Sequence, residues 1–147
     1  MTRLARTGFA ALLALTLPLA TSGAWAAGES IAYKAALSGG SEVPATESKG
    51  IGAVTATYDP ATKRLSWNGT YSGLTGPVTA AHFHGPALPG ANAGVLVPVT
   101  ATSSPFSGEA ILDDAKAADL DAGKLYLNIH TAANPKGEIR GQVERAR

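Results

Sequence analysis

From Ile31 onward, apolar side chains recur at every second position in short runs, and glycine, proline, asparagine and aspartate fill the spaces between them. Period-two alternation is the pattern of a strand with one face in a core and the other turned outward. It therefore points to antiparallel sheet and away from a helical bundle. The runs predict strands at 31–37, 52–58, 64–71, 78–85, 94–99, 107–112, 124–131 and 138–144. Eight strands suffice for an all-β, antiparallel Greek-key barrel or sandwich. Tyr58-Asp59-Pro60-Ala61-Thr62-Lys63 joins two runs as a hairpin turn, with proline presetting φ at the first corner. One short helix is expected at 113–121, where Asp113 and Asp114 precede an alanine-rich turn and Gly123 marks the stop. No repeat of about 20–50 residues interrupts this order.

The segment ahead of the runs reads as an export signal spanning residues 1–26. Arg3 and Arg6 lead an apolar run from Phe9 to Ala20, and Ala24-Trp25-Ala26 supplies a small-x-small cleavage site. That run is shorter than the roughly 18 residues needed to cross a bilayer, so no membrane span is expected after cleavage. Residues 27–147 then form a single domain. Losing Arg3 and Arg6 leaves ten basic against eleven acidic side chains, which gives no basic face for nucleic acid. With no cysteine in the chain, thiolate nucleophiles, zinc-thiolate sites and iron–sulfur clusters are excluded, and any metal must rest on histidine, carboxylate or backbone. Export without thiols suits a periplasmic or secreted location.

The three histidines are the candidate chemistry. In Ala80-Ala81-His82-Phe83-His84, strand parity projects His82 and His84 to one face and Phe83 to the other. Phe83 is then the core anchor and the histidines are the outward pair. In Leu125-Tyr126-Leu127-Asn128-Ile129-His130 the leucines and Ile129 form the core face, and His130 points outward beside Asn128. Along the last strand Ile139, Gly141 and Val143 face inward, while Glu138, Arg140, Gln142 and Glu144 face outward. If these strands are neighbours, three imidazoles and one arginine converge beneath the loops at 85–94 and 131–137. Neutral imidazoles suit copper and zinc, and a His-x-His strand with one distant histidine can supply three nitrogens to Cu(II).

Plainer roles account for the same residues. The His-x-His pair also fits a solvated polar face, His130 a hydrogen bond to backbone in the 134–137 turn, and Arg140 an exposed pairing with Glu138 or Glu144. The aspartates at 113, 114, 119 and 121 lack calcium-loop spacing and fit helix capping. Trp67 and Tyr71 read as core or sheet-face residues. No nucleophile elbow or phosphate-cradling glycine loop is present.

The chain resembles the CHRD domain family in several blocks. These are Ala35-Ala36-Leu37-Ser38-Gly39-Gly40-Ser41-Glu42-Val43-Pro44, Gly73-Leu74-Thr75, Ala81-His82-Phe83-His84-Gly85-Pro86-Ala87, Leu125-Tyr126-Leu127-Asn128-Ile129-His130-Thr131 and Asn134-Pro135-Lys136-Gly137-Glu138-Ile139-Arg140-Gly141-Gln142. The blocks run from about Tyr33 to Val143, and the resemblance implies binding more than catalysis. More distantly, Gly73-Leu74-Thr75 ahead of His82-Phe83-His84, with His130 and then Arg140 downstream, is similar to copper/zinc superoxide dismutases. That resemblance implies a superoxide-dismutase-like barrel. It also implies His82, His84 and His130 as copper ligands and Arg140 as an anion contact. The family's bridging histidine, zinc site and disulfide have no counterpart among three histidines and no cysteine.

The expectation is an exported binding module with a three-histidine copper or zinc site. Asn128 is expected to support the ligands, and Arg140 to meet an anion or carboxylate near the open position. A copper-dependent redox enzyme, and a metal-independent module recognising a protein or polysaccharide of the cell envelope, are the alternatives.

Overall fold

In the computed structural model, which describes residues 28–147, the chain runs β1 (Ile31–Ser38), a turn of 3-10 helix (Gly39–Ser41), β2 (Ile51–Asp59) and β3 (Arg64–Ser72). It continues through β4 (Val78–His84), β5 (Val95–Pro98), β6 (Phe106–Ile111), α1 (Asp114–Asp121), β7 (Tyr126–Thr131), β8 (Ile139–Gln142) and β9 (Glu144–Arg145). The segment read as an export signal lies outside the described residues. Among those described, no helix is long and apolar enough to cross a membrane.

The hydrogen-bonded order is β5-β4-β7-β8-β1-β2-β3-β6, with β9 also on β1, and every pairing is antiparallel. β1 to β3 form a meander. The chain then crosses to the far end for β4 and β5, returns to β3 with β6, and inserts β7 between β4 and β8. These are Greek-key connections. Trp67 of β3 meets Phe83 of β4 edge to face at 5.0 Å between ring centroids. Four strands separate β3 from β4 along the sheet, so this contact exists only because the sheet curls round one interior. Leu65, Phe83, Leu127 and Ile129 are wholly buried there, each contributing about 1.5–3 kcal/mol.

Local chemistry sets the elements. In β1, Tyr33, Ala35 and Leu37 are buried while Ala32, Lys34 and Ala36 are exposed, as the alternation dictates. The β2–β3 hairpin is closed by Asp59, which accepts from the amides of Ala61 and Thr62 and from the Thr62 hydroxyl. Asp113 caps α1 through the Lys116 amide at 2.9 Å. Of the two aromatics read as core or sheet-face residues, Trp67 is in the core and Tyr71 packs half-buried against that cluster, its hydroxyl donating to the Ala101 carbonyl at 3.0 Å.

Two expectations need correction. The strand read at 138–144 is two strands, because the Val143 amide bonds the Leu125 carbonyl and the chain then moves across to pair Glu144 and Arg145 with β1. The outward side chains Glu138 and Arg140 are not exposed but 0% and 2% accessible. Parity places them away from the barrel interior, and loops cover them there. β7 shows the same effect: all six residues are buried, Leu127 and Ile129 in the core and Tyr126, Asn128 and His130 on the outer face beneath loops.

Gly141 lies where β8 presses on β1, and a Cβ there would fall inside contact distance of the Ala36 carbonyl oxygen. Backbone in a sheet cannot swing aside as a flexible side chain does. Gly141→Ala is therefore expected to destabilise the domain by about 2–3 kcal/mol. A urea midpoint equal to the parent's would contradict this.

Candidate metal centre

The β4–β7 register sets Ala80 opposite His130, His82 opposite Asn128 and His84 opposite Tyr126. His82 and His84 share the outer face of β4, and His130 reaches the same ground from β7. One nitrogen from each of the three rings lies within 4.8 Å of the others. His82 is half-buried, and His84 and His130 are buried under the two neighbouring loops.

Hydrogen bonds decide which nitrogens are available. His84 Nδ1 lies 3.0 Å from the Ala93 carbonyl, and His130 Nδ1 lies 3.0 Å from that of Pro135. A carbonyl only accepts, so both Nδ1 atoms carry hydrogen and both Nε2 atoms keep a lone pair. His84 Nε2 is buried with no partner. His130 Nε2 faces His82 Nδ1 at 3.3 Å. With its lone pair, His130 Nε2 accepts from His82 Nδ1–H; for all three rings to ligate, His82 would carry its hydrogen on Nε2 instead, leaving His82 Nδ1, His84 Nε2 and His130 Nε2 as the donors. Burial lowers the His82 pKa, helped by the neighbouring His130 and His84. Burial also lowers that of His130, against the Pro135 carbonyl and with His84. Both rings are therefore neutral at pH 7, the form that ligates metal.

The backbone bond foreseen for His130 in the 134–137 turn is present, and it orients the ring toward the cluster. Asn128 lies between His82 and Arg140 in one cross-strand row, buried, with Oδ1 unpartnered. Arg140 is placed otherwise than sequence suggested. It pairs with neither Glu138 nor Glu144. Nη1 donates to Asn92 Oδ1 at 3.0 Å, Nη2 to the Ala91 carbonyl at 2.7 Å, and the guanidinium carbon sits 3.4 Å from the centroid of Tyr126. Its charge holds the 85–94 loop down, and an anion would have to displace these bonds to reach it.

Two buried carboxylates lie near the cluster, Glu42, which the sequence reading gave no role, and Glu138, which it placed outward. Glu42 follows the 3-10 turn, and burial raises its pKa to about 7 against the lowering influence of Arg140 and Asn128. Gly137, at φ +130°, leaves the room that Glu42 and the Asn128 amide occupy; a Cβ would collide with both. Glu138 instead accepts from the Thr75 amide and from the hydroxyls of Thr75, Thr131 and Ser48. Burial pushes its pKa up, but these bonds outweigh it and hold the value down to about 2. Glu42 carried no periodic signal, and strand parity gave Glu138 its outward direction but not the donors that surround it.

Among families, the model described as CHRD domain matches residues 33–143. No curated protein and no solved structure matches the chain, so the likeness to copper/zinc superoxide dismutases rests on the quoted residues alone.

Proposed function

The chain belongs to the CHRD domain family, and on that premise we propose that it is an exported, periplasmic or secreted binding module that holds one copper or zinc ion on His82, His84 and His130. The observation that carries the reading is the unpartnered, buried His84 Nε2, aimed among two further imidazoles whose donor atoms lie within 4.8 Å. A buried polar atom without a partner costs about 1–3 kcal/mol, and a metal ion removes that cost. All three donors are imidazole nitrogens, and the chain's single methionine is Met1, so thioether ligation plays no part. Such a set suits Cu(II) and Zn(II).

The protein's part in binding is orientation. Two backbone carbonyls fix the protonated nitrogens of His84 and His130, and burial lowers the pKa values of His82 and His130. A bound Cu(II) would supply a one-electron acceptor, and Zn(II) a Lewis acid. With Arg140 engaged by the loop, nothing in the site favours turnover of an anion over plain binding.

The test begins with elemental analysis of the protein from its own compartment. Titration of the metal-free form with Cu(II) and Zn(II) follows. One equivalent bound tighter than roughly micromolar, and lost when all three histidines become alanine, is the expected result. No binding, or equal binding by the triple variant, overturns the reading and directs attention to a protein or polysaccharide of the envelope.

A further inference from the structure

Tyr126 stands opposite His84 on β7 and opposite Gln142 on β8. Its ring is stacked on the His84 imidazole, with 4.8 Å between centroids and 1° between planes. Arg140 reaches the same phenol ring from β8, at 3.4 Å from its centroid. Because β7 lies between β4 and β8, the phenol ring lies between imidazole and guanidinium. Its hydroxyl meets the same backbone unit as the imidazole. The Ala93 amide donates to Tyr126 Oη at 3.2 Å, and Tyr126 Oη donates to the Ala93 carbonyl at 3.3 Å. That carbonyl also receives His84 Nδ1–H, as an oxygen with two lone pairs can.

We propose that Tyr126 is a positioning residue for His84: the stack sets the plane of the imidazole, and the shared Ala93 carbonyl sets its tautomer, so that Nε2 is the atom presented to the cluster. This deepens the metal-binding reading and rests on it only for its consequence in affinity. Arg140 completes the clamp from the other side, because the bonds that hold it to Ala91 and Asn92 fix the segment that carries Ala93. The groups outside a ligand thereby act on it through orientation, the usual task of a ligand's supporting partners.

Two variants separate the parts of the clamp. Tyr126→Phe keeps the stacked ring and loses the hydroxyl; Tyr126→Leu loses both. The first readout is the tautomer of His84 in metal-free protein, from nitrogen chemical shifts of the imidazole. The parent is expected to show Nδ1–H alone, Tyr126→Phe mostly so, and folded Tyr126→Leu a mixture of tautomers. The second readout is Cu(II) titration with electron paramagnetic resonance. Tyr126→Leu is expected to bind about tenfold or more weakly with an altered spectrum, and Tyr126→Phe to restore the parent spectrum. A folded Tyr126→Leu protein with a pure Nδ1–H tautomer, or with the parent's Cu(II) spectrum and affinity, overturns the proposal. If the parent binds no copper, the metal-binding reading fails, and the tautomer measurement still decides the role of Tyr126.

Discussion

Replacing His84 by alanine is expected to weaken Cu(II) binding at pH 7 by about a hundredfold or more, equivalent to roughly 2.7 kcal/mol. Altering a residue that merely supports a ligand typically costs 10- to 100-fold in affinity, so deleting the ligand itself belongs at or beyond that range. No substitute stands nearby. The three histidines are the one cluster of potential metal-ligating side chains found among the described residues, and Arg140 on the far side of Tyr126 offers only donors. His82→Ala and His130→Ala are expected to show losses of the same order. Competition titration against a chelator of known affinity measures each, and parent-like affinity in all three single variants would exclude this ligand set.

The second large effect falls on stability. Glu138→Ala is expected to destabilise the domain by about 3 kcal/mol and to lower the unfolding midpoint by about 10 °C. The carboxylate is inaccessible and accepts four hydrogen bonds from three segments: Ser48 before β2, Thr75 before β4 and Thr131 at the end of β7. Alanine leaves these donors facing each other across a void. The contribution depends on charge, so it carries a pH signature. The folded pKa of about 2 lies below the ordinary value of 4.5. The stabilisation is thus complete above pH 4.5 and drains away as pH falls toward 2. Glu138→Gln, which cannot ionise, should differ from the parent at pH 7 and approach it at pH 3. A gap in midpoint of the same size at both pH values would show that charge is not what binds these segments.

Strand parity made the barrel legible. Phe83, Leu127 and Ile129 fell inward and His82, His84 and His130 outward because alternation is a local property, fixed by the pleat alone. What parity cannot reveal is the cover over the outward face. Glu138 and Arg140 read as solvated for that reason, and both are buried by loops whose paths depend on contacts between distant segments. Asn92, for example, donates to the Val43 carbonyl across 49 positions of sequence. Tyr126 was within reach of the same reasoning, since it shares parity with Asn128 and His130, but its partner His84 becomes visible only once the β4–β7 register is known. Glu42 belongs to no periodic segment, and its neighbourhood exists only in the folded chain.

The insertion of β7 between β4 and β8 also bears on how the domain matures. A chain emerging from its N-terminus presents His82 and His84 long before His130, and β4 lacks its central neighbour until nearly the whole sequence has appeared. Pairings so distant in sequence are slow to close. The three-histidine cluster is therefore among the last features to assemble, and under the proposed metal binding, capture of an ion would mark a closed barrel: nascent or clipped chains ending before residue 125 would take none.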